Sequence, residues 1–257
     1  MCYETTARPP LPPICGGAAT GEQITLTAAD GNEFAAFSAQ AESPGGPGIV
    51  VLPDVRGLHA FYEDLALRFA GAGVHATAFD YFGRTAGLPD GGRRDDEFDF
   101  WPEVMKTSAE TVALDVTAAM ERLRSKEGGA ATAIYTVGFC FGGRHSFNQS
   151  AQQDGLAGVI GFYGRVSPTN EEDTDAPVDL AKDYKAPVLG HFGGTDQLIP
   201  AAGIEEFGRA LDAAGVSNDL KIYEGAPHSF FDRAFAQFSA ECDDAWTRML
   251  EFVRAAA

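Results

Sequence analysis

The chain has no long hydrophobic run and few basic residues. No apolar stretch among its 257 residues approaches the roughly 20 that a membrane-spanning helix requires. The first residues include an acid and no apolar signal-peptide core, so we expect a cytoplasmic protein. The sequence has only 19 basic residues and 37 acidic ones, which gives a net charge of −18. Such a surface repels nucleic acid and anionic membranes, and we expect neither as a partner.

Cysteine is also scarce. There are four cysteines, and no pair has the C-x-x-C spacing. The sequence therefore predicts neither a zinc site nor a thioredoxin-type redox motif. In a reducing cytoplasm, a cysteine in a distinctive sequence setting is more plausibly catalytic than disulfide-bonded.

What the sequence does contain is an alternation of β-prone and helical segments. Segments 23–27 and 33–38 flank Asp30-Gly31-Asn32 and predict an antiparallel hairpin. Downstream, alternating strands and helices favour an α/β fold, a mostly parallel sheet with helices on both faces. We predict an extended arm over residues 1–20 and a single domain over residues 21–257. The further predicted strands are 48–52, 74–79, 133–137, 158–162, 188–192 and 220–223, and the main predicted helices are 62–72, 107–124, 204–214 and 240–254.

One cysteine, Cys140, sits in a glycine frame, Gly138-Phe139-Cys140-Phe141-Gly142-Gly143. The frame follows a predicted strand and precedes a segment that can be helical. This is the strand–turn–helix setting of the G-x-S-x-G nucleophile elbow, with cysteine in place of serine. The alternative is a small packed cysteine beside glycines that allow close strand–helix contact.

A cysteine nucleophile needs a base, and the base needs an orienting acid. Asp196 follows the predicted strand that ends at Phe192, and His228 follows the one that ends at Tyr223. The order Cys140, Asp196, His228 is the one expected after such an elbow. Taken singly, Asp196 could be a turn or N-cap aspartate and His228 an ordinary loop histidine. Three such loops in the required order favour a catalytic triad at one rim of the sheet.

An oxyanion hole is expected to use two backbone N–H groups. One follows the nucleophile, and the other lies in the loop after an earlier strand. Phe141 supplies the first candidate, and Val55, after the predicted strand 48–52, supplies the second.

At this point the chain resembles the dienelactone hydrolases (carboxymethylenebutenolidases), cysteine-dependent members of the α/β-hydrolase fold. The resemblance extends from about residue 23 to the carboxyl end, and its specific element is the cysteine elbow. The matching motifs are Gly138-Phe139-Cys140-Phe141-Gly142-Gly143, Asp80-Tyr81-Phe82-Gly83-Arg84, Gly193-Gly194-Thr195-Asp196 and His228-Ser229-Phe230.

The resemblance implies further site residues. Asp54 matches an acidic residue, commonly glutamate, that contacts the resting thiol and helps to take its proton. Its alternative role is to cap backbone N–H groups or to pair with Arg56. Arg84 matches one of two arginines that bind the substrate carboxylate, and Arg233 is the near match to the second, displaced by one residue. Arg233 could equally be a plain surface arginine.

Two aromatic residues are weaker candidates for the substrate pocket. Tyr62 follows the oxyanion loop, and Trp101 lies in the long loop after Arg84. The alternatives are that Tyr62 simply begins a helix and that Trp101 belongs to a surface cluster.

The sequence thus predicts an enzyme that hydrolyses small carboxylate-bearing lactones or esters through a thioester on Cys140. The chemistry needs no cofactor and no metal, and we expect a monomer or homodimer. The first alternative is a promiscuous short-chain carboxylesterase or thioesterase with the same triad. A second is a thiol sensor or binding module that uses Cys140 without turnover.

Overall fold

The computed structural model describes residues 19–255. The predicted arm, residues 1–20, lies outside the described residues except for its last two. Eight strands are present within the described range: β1 (Thr20–Thr27), β2 (Glu33–Gln40), β3 (Pro47–Leu52), β4 (His75–Phe79), β5 (Ala133–Phe139), β6 (Leu156–Phe162), β7 (Val188–Gly193) and β8 (Asn218–Tyr223).

Within residues 19–255, eight α-helices lie among the later strands. They are α1 (Ala60–Gly71), α2 (Gly83–Ala86), α3 (Trp101–Val104), α4 (Ala109–Arg124), α5 (Phe141–Gln152), α6 (Pro177–Leu180), α7 (Ala201–Ala213) and α8 (Ser239–Arg254). Short 3₁₀ turns occur at Asp90–Gly92, Lys126–Gly128 and Ala181–Asp183. Among residues 19–255, none of the helices combines the length and the apolar character needed to cross a membrane.

The sheet has the strand order β1-β2-β4-β3-β5-β6-β7-β8. The pairs β1–β2 and β2–β4 are antiparallel, whereas β3–β4, β6–β7 and β7–β8 are parallel. This confirms the predicted α/β class, with a mostly parallel sheet and an amino-terminal antiparallel hairpin.

Two compact units make up the described chain, residues 19–135 and residues 136–255. The single domain predicted over residues 21–257 stays a prediction. In the first unit, β3 and β4 are buried along their whole length, as expected for central parallel strands. The loop that contains Asp54 and Val55 directly follows β3.

The second unit has an aromatic core that joins two strand ends to a later loop. The ring of Phe162, the last residue of β6, stacks 4.9 Å from that of Phe139, the last residue of β5. Phe231 packs against both, at 4.6 Å from Phe162 and 5.8 Å from Phe139. Buried aromatic pairs of this kind stabilise a packing beyond the area they remove from water. The carboxyl ends of β5 and β6 and the loop after β8 are therefore held together by apolar contacts.

Candidate active site

Cys140 occupies a sharp turn between the end of β5 and the start of α5. Its φ is 55° and its ψ is −110°. Few residues other than glycine adopt a positive φ, and such strain persists only where the surrounding structure enforces it. The Cys140 N–H donates to the Phe162 carbonyl oxygen at 3.0 Å. The side chain is half-buried and is not in a disulfide, so a strained backbone presents an accessible thiol.

Glycines on either side of the turn let the strand and the helix approach closely. A Cβ atom on Gly143 would lie 2.6 Å from the Phe162 carbonyl oxygen and 3.0 Å from the Cα atom of Gly164. A Cβ atom on Gly138 would overlap the carbonyl oxygen of Gly142. The glycine frame in the sequence is therefore required by close backbone contact around the cysteine.

Asp196 and His228 are joined by a short hydrogen bond. Asp196 follows β7, and its Oδ1 accepts the Leu198 N–H at 2.9 Å, which fixes the carboxylate. Its Oδ2 lies 2.6 Å from His228 Nδ1. The Asp196 side chain is only 1% exposed. Because an ionised carboxylate can only accept, the hydrogen-bond network assigns the imidazole proton to Nδ1 and leaves a lone pair on Nε2.

That second nitrogen is buried, and it makes no hydrogen bond within residues 19–255. The Cys140 thiol is therefore not hydrogen-bonded to His228 in this structure. The two residues nevertheless contact consecutive residues of the chain. Phe162, which accepts the Cys140 N–H, is followed by Tyr163, whose ring centroid lies 5.0 Å from that of His228. The structure thus joins two of the three predicted triad members, Asp196 and His228, and places the third at the end of β5, which is separated from β7 by β6.

Phe141, the predicted oxyanion donor, is the first residue of α5. The first N–H groups of a helix have no intrahelical acceptor, and the positive end of the helix dipole lies there. An anion that forms beside Cys140 would meet both. The Phe141 ring packs 4.4 Å from the His145 ring. Burial lowers the pKa of His145 to about 3, so His145 is neutral.

Arg233, the near match to a family arginine, lies on the surface. Its backbone N–H donates to the buried carboxylate of Asp232. The chain therefore has a carboxylate, and not a guanidinium, buried on the His228 loop.

Asp54 and Val55 belong to the unit 19–135 and form a turn after β3. Asp54 Oδ1 accepts the Arg56 N–H at 2.8 Å and lies 3.7 Å from Arg56 Nε, as the alternative role predicts. The Asp54 N–H donates to the Tyr62 hydroxyl at 2.9 Å. Tyr62 is fully buried, so its position is that of a structural contact rather than of a pocket wall. The Val55 N–H donates to no acceptor in the described chain, as an oxyanion donor would require.

Arg84 is bound to two carboxylates. Its Nε and Nη2 each donate to Asp30 at 2.9 Å, and its Nη1 lies 2.7 Å from both oxygens of Asp115. A substrate carboxylate would have to displace one of them. The charge that would recognise an anion is paired with Asp30 and Asp115 in this structure, and the substrate-binding role of Arg84 stays a prediction.

Trp101 begins α3 and is 59% exposed, with its ring 5.2 Å from that of Phe100. This is the surface cluster that we considered as the alternative to a pocket wall. Among the residues described, no group of three or more His, Cys, Asp or Glu side chains is arranged to hold a metal ion.

The carboxyl of Asp115 gives a pH-dependent contribution to stability. Burial raises its pKa from 3.8 to about 6, although Arg84 opposes the shift. Between these values the folded chain holds a proton that the unfolded chain has released, so stability falls as the pH rises from 4 to 6. The shift corresponds to about 3 kcal/mol.

Substitution of Asp115 by asparagine removes this titration. We expect the unfolding free energy of the parent protein to fall relative to that of Asp115→Asn as the pH rises from 4 to 6. Denaturant unfolding of both proteins at pH 4, 5, 6 and 7 measures the difference. A difference that stays constant across this range would contradict the assignment.

Comparison with known proteins identifies the family. A family model described as "Dienelactone hydrolase family" matches residues 34–257. The chain belongs to the dienelactone hydrolase family. Membership in this family of hydrolytic enzymes confirms the resemblance predicted from the cysteine elbow.

Individual members of the dienelactone hydrolase family match along most of their length. A Salmonella typhimurium protein provisionally named carboxymethylenebutenolidase is 30% identical over 236 residues, covering 89% of this chain and 85% of the relative. A Bradyrhizobium protein provisionally named 2-oxo-3-(5-oxofuran-2-ylidene)propanoate lactonase is 28% identical over 218 residues, covering 81% and 83%. The crystal structure of a provisionally named dienelactone hydrolase from Klebsiella pneumoniae superposes with a TM-score of 0.78 at 27% identity, covering 92% of this chain and 99% of that one.

Two residues near the histidine of this dienelactone hydrolase family member were not identified from the sequence. Tyr163 contacts the imidazole, and its hydroxyl donates to Asp232 Oδ2 at 2.6 Å. The sequence held one signal for each: Tyr163 directly follows a buried strand end, and Asp232 lies four residues after the predicted catalytic histidine. Neither signal shows that the two side chains meet, since 69 residues separate them.

Proposed function

We propose that this protein hydrolyses small lactones or esters by covalent catalysis, with Cys140 as the nucleophile. The observation that supports the proposal most directly is the 2.6 Å hydrogen bond between His228 Nδ1 and Asp196. It lies in the same compact unit as the strained cysteine turn at the start of α5. A nucleophile, a base and an orienting acid are the parts that acyl transfer requires.

The reaction begins with proton transfer from the Cys140 thiol to His228 Nε2. The thiol has to turn toward Nε2 first, because no hydrogen bond joins the two at rest. The thiolate then attacks the carbonyl carbon, and the oxyanion forms near the first N–H groups of α5. As the C–O bond breaks, Nε2–H gives its proton to the leaving oxygen, and an acyl thioester remains.

Water completes the cycle. His228 Nε2 takes a proton from a water molecule as the water oxygen attacks the thioester carbonyl carbon. Collapse of the second tetrahedral intermediate breaks the C–S bond and releases the carboxylic acid, and Nε2–H returns its proton to the sulfur. Asp196 holds the Nδ1 proton throughout and stabilises the imidazolium whenever it forms. From the family resemblance, Asp54 would assist thiol deprotonation and the Val55 N–H would be an oxyanion donor. Both assignments remain predictions.

A trapped acyl group tests the proposal. Protein mixed with a slow ester, such as p-nitrophenyl trimethylacetate, should gain the mass of one acyl group, mapped by peptide mass spectrometry to Cys140. Cys140→Ala should gain none. Cys242→Ala is the matched control and should still be acylated, because the Cys242 thiol is buried and its pKa is raised by that burial. An acyl group on another residue, or on Cys140→Ala at the same rate, would refute the nucleophile.

The carboxylate preference of the substrate is a separate question, and the structure favours the broader esterase. Arg84 is already paired with two aspartates. The carboxylate of Asp232 is buried on the His228 loop. A short-chain carboxylesterase with little selectivity for carboxylates is therefore the second candidate function.

Replacing Arg84 with alanine distinguishes the two. We expect the ratio of kcat/KM for a carboxylate-bearing lactone to kcat/KM for p-nitrophenyl acetate to stay within about twofold, because Arg84 binds no substrate. We also expect a lower melting temperature, because Asp115 loses its buried partner. A selective loss of about tenfold or more for the lactone, corresponding to about 1.4 kcal/mol of recognition, would restore the predicted role of Arg84.

A further inference from the structure

Tyr163, the first residue after β6, has a backbone conformation that a bulky side chain rarely adopts. Its φ is 37°. For an aromatic residue such a value is an outlier and signals strain held in place by neighbouring contacts. The Tyr163 N–H donates to the His191 carbonyl oxygen at 2.7 Å, and the side chain is only 1% exposed. The fold therefore directs this ring to a particular place.

The ring lies near both the last residue of β5 and the histidine, with its centroid 6.3 Å from that of Phe139. Its centroid is 5.0 Å from the imidazole of His228, with the two planes at 55°, and 5.9 Å from the ring of Phe230. At its far end the hydroxyl donates to Asp232 Oδ2 at 2.6 Å. Tyr163 is thus attached to the His228 loop at two points, through its ring and through its hydroxyl.

Asp232 is itself fixed. Its side chain is 4% exposed, and its backbone N–H donates to the Ser229 carbonyl oxygen at 3.3 Å. Ser229, the residue after His228, also has a positive φ, of 60°. Three of the four positive-φ residues other than glycine in the described chain are therefore Cys140, Tyr163 and Ser229, all at or beside the proposed catalytic groups.

His228 has few polar contacts to orient it. Within the described residues, its side chain makes one hydrogen bond, from Nδ1 to Asp196. A single hydrogen bond leaves the imidazole free to rock about that bond. A ring packed against it restricts the motion and keeps Nε2 in one direction.

We propose that Tyr163 and Asp232 are positioning residues for His228. The Tyr163–Asp232 hydrogen bond clamps the tyrosine ring against the imidazole and holds Nε2 in the orientation that receives the thiol proton. The proposal rests on the proposed function, since it concerns the same histidine. It assigns a role to a carboxylate that is neither the acid of the triad nor a substrate contact.

Removing the hydroxyl tests the clamp with little change in volume. We expect Tyr163→Phe to lower kcat for p-nitrophenyl acetate by about 10- to 100-fold, the size expected for a misplaced catalytic group, with KM within about twofold. Asp232→Ala should give a similar loss. Because both changes break the same hydrogen bond, the double variant should lose no more than either single variant.

Tyr184→Phe is the matched control. Tyr184 is another buried tyrosine of the same unit, and its hydroxyl donates to Asn148 Oδ1 at 3.3 Å. We expect this variant to keep the kcat of the parent protein. Equal losses in Tyr184→Phe and Tyr163→Phe would overturn the proposal, because any buried tyrosine would then have the same effect. Additive losses in the double variant would overturn it as well.

Proton NMR of the His228 Nδ1–H gives a readout that does not require turnover. This proton, held in a short hydrogen bond to Asp196, should give a downfield resonance in the parent protein and in Tyr184→Phe. In Tyr163→Phe or Asp232→Ala it should shift or broaden as the imidazole gains freedom. An unchanged resonance together with an unchanged kcat would overturn the positioning role. Failure of the parent protein to acylate Cys140 would overturn the proposed function instead.

Discussion

Replacing His228 with alanine is expected to lower kcat for ester hydrolysis by about 10⁴-fold, the loss typical for the base of a triad. The thiol then has no base to accept its proton, and the leaving oxygen has no acid. KM should change little, because no substrate contact is removed. Steady-state kinetics with p-nitrophenyl acetate at pH 7 measures the effect, and thermal unfolding of the same sample checks that the variant is folded.

The same variant separates an enzyme from a thiol sensor. A sensor needs a reactive sulfur but no turnover, so its reaction with peroxide would be largely intact without the imidazole. In the hydrolase, His228→Ala should lose turnover and react only slowly with peroxide, because the thiol has lost the base that takes its proton. Full esterase activity in a folded His228→Ala protein would contradict the proposed mechanism.

Much of the fold was predictable because its signals are local. Each buried strand is a short run of apolar residues between turn residues, and β3 and β7 are read from such runs directly. The cysteine elbow was predictable for the same reason, since its glycines are required by contacts within a few residues along the chain or on the next strand. Asp196 and His228 followed because strand ends of a parallel sheet meet at one edge.

The sequence was least informative where the contacts of a residue depend on a partner far away in the chain. The Arg84 motif matched a substrate-binding arginine, but its charge is taken up by Asp30 and Asp115, 54 and 31 residues away. The sequence of α4 does contain one indication of this contact. Asp115 lies next to Val116 and three residues after Val112, both buried on α4, and a carboxyl beside such an apolar face needs a buried partner. We did not predict a partner for Asp115 from this pattern, and only the fold identifies it as Arg84.

Tyr163 and Asp232 show the same limit at the site. No residue pattern predicts a positive φ at a tyrosine, because the strain is set by neighbours from other strands. The hydrogen bond between them joins two positions 69 residues apart. Sequence reasoning could predict the chemical groups of the proposed triad, but not the packing of Tyr163 against its histidine.

Replacing Asp196 with asparagine should be nearly as damaging as losing the histidine. Asparagine keeps the size of the side chain but can present an N–H₂ group to the imidazole, which favours the tautomer with its proton on Nε2. That tautomer cannot accept the thiol proton, and an imidazolium would no longer have a carboxylate beside it. We expect kcat at pH 7 to fall by about 10³- to 10⁴-fold, with KM nearly unchanged.

The loss should depend on pH in a direction that is specific to a cysteine nucleophile. A thiol loses its proton more readily as the pH rises, so at high pH the sulfur ionises without help from the histidine. The ratio of parent to Asp196→Asn activity should therefore shrink between pH 7 and pH 9.5, as measured by kcat/KM for p-nitrophenyl acetate. Asp244→Asn is a suitable control. Asp244 lies on α8, accepts a hydrogen bond from the Tyr223 hydroxyl and is not a member of the proposed triad. A ratio that does not change with pH would mean that Asp196 does not act through thiol deprotonation.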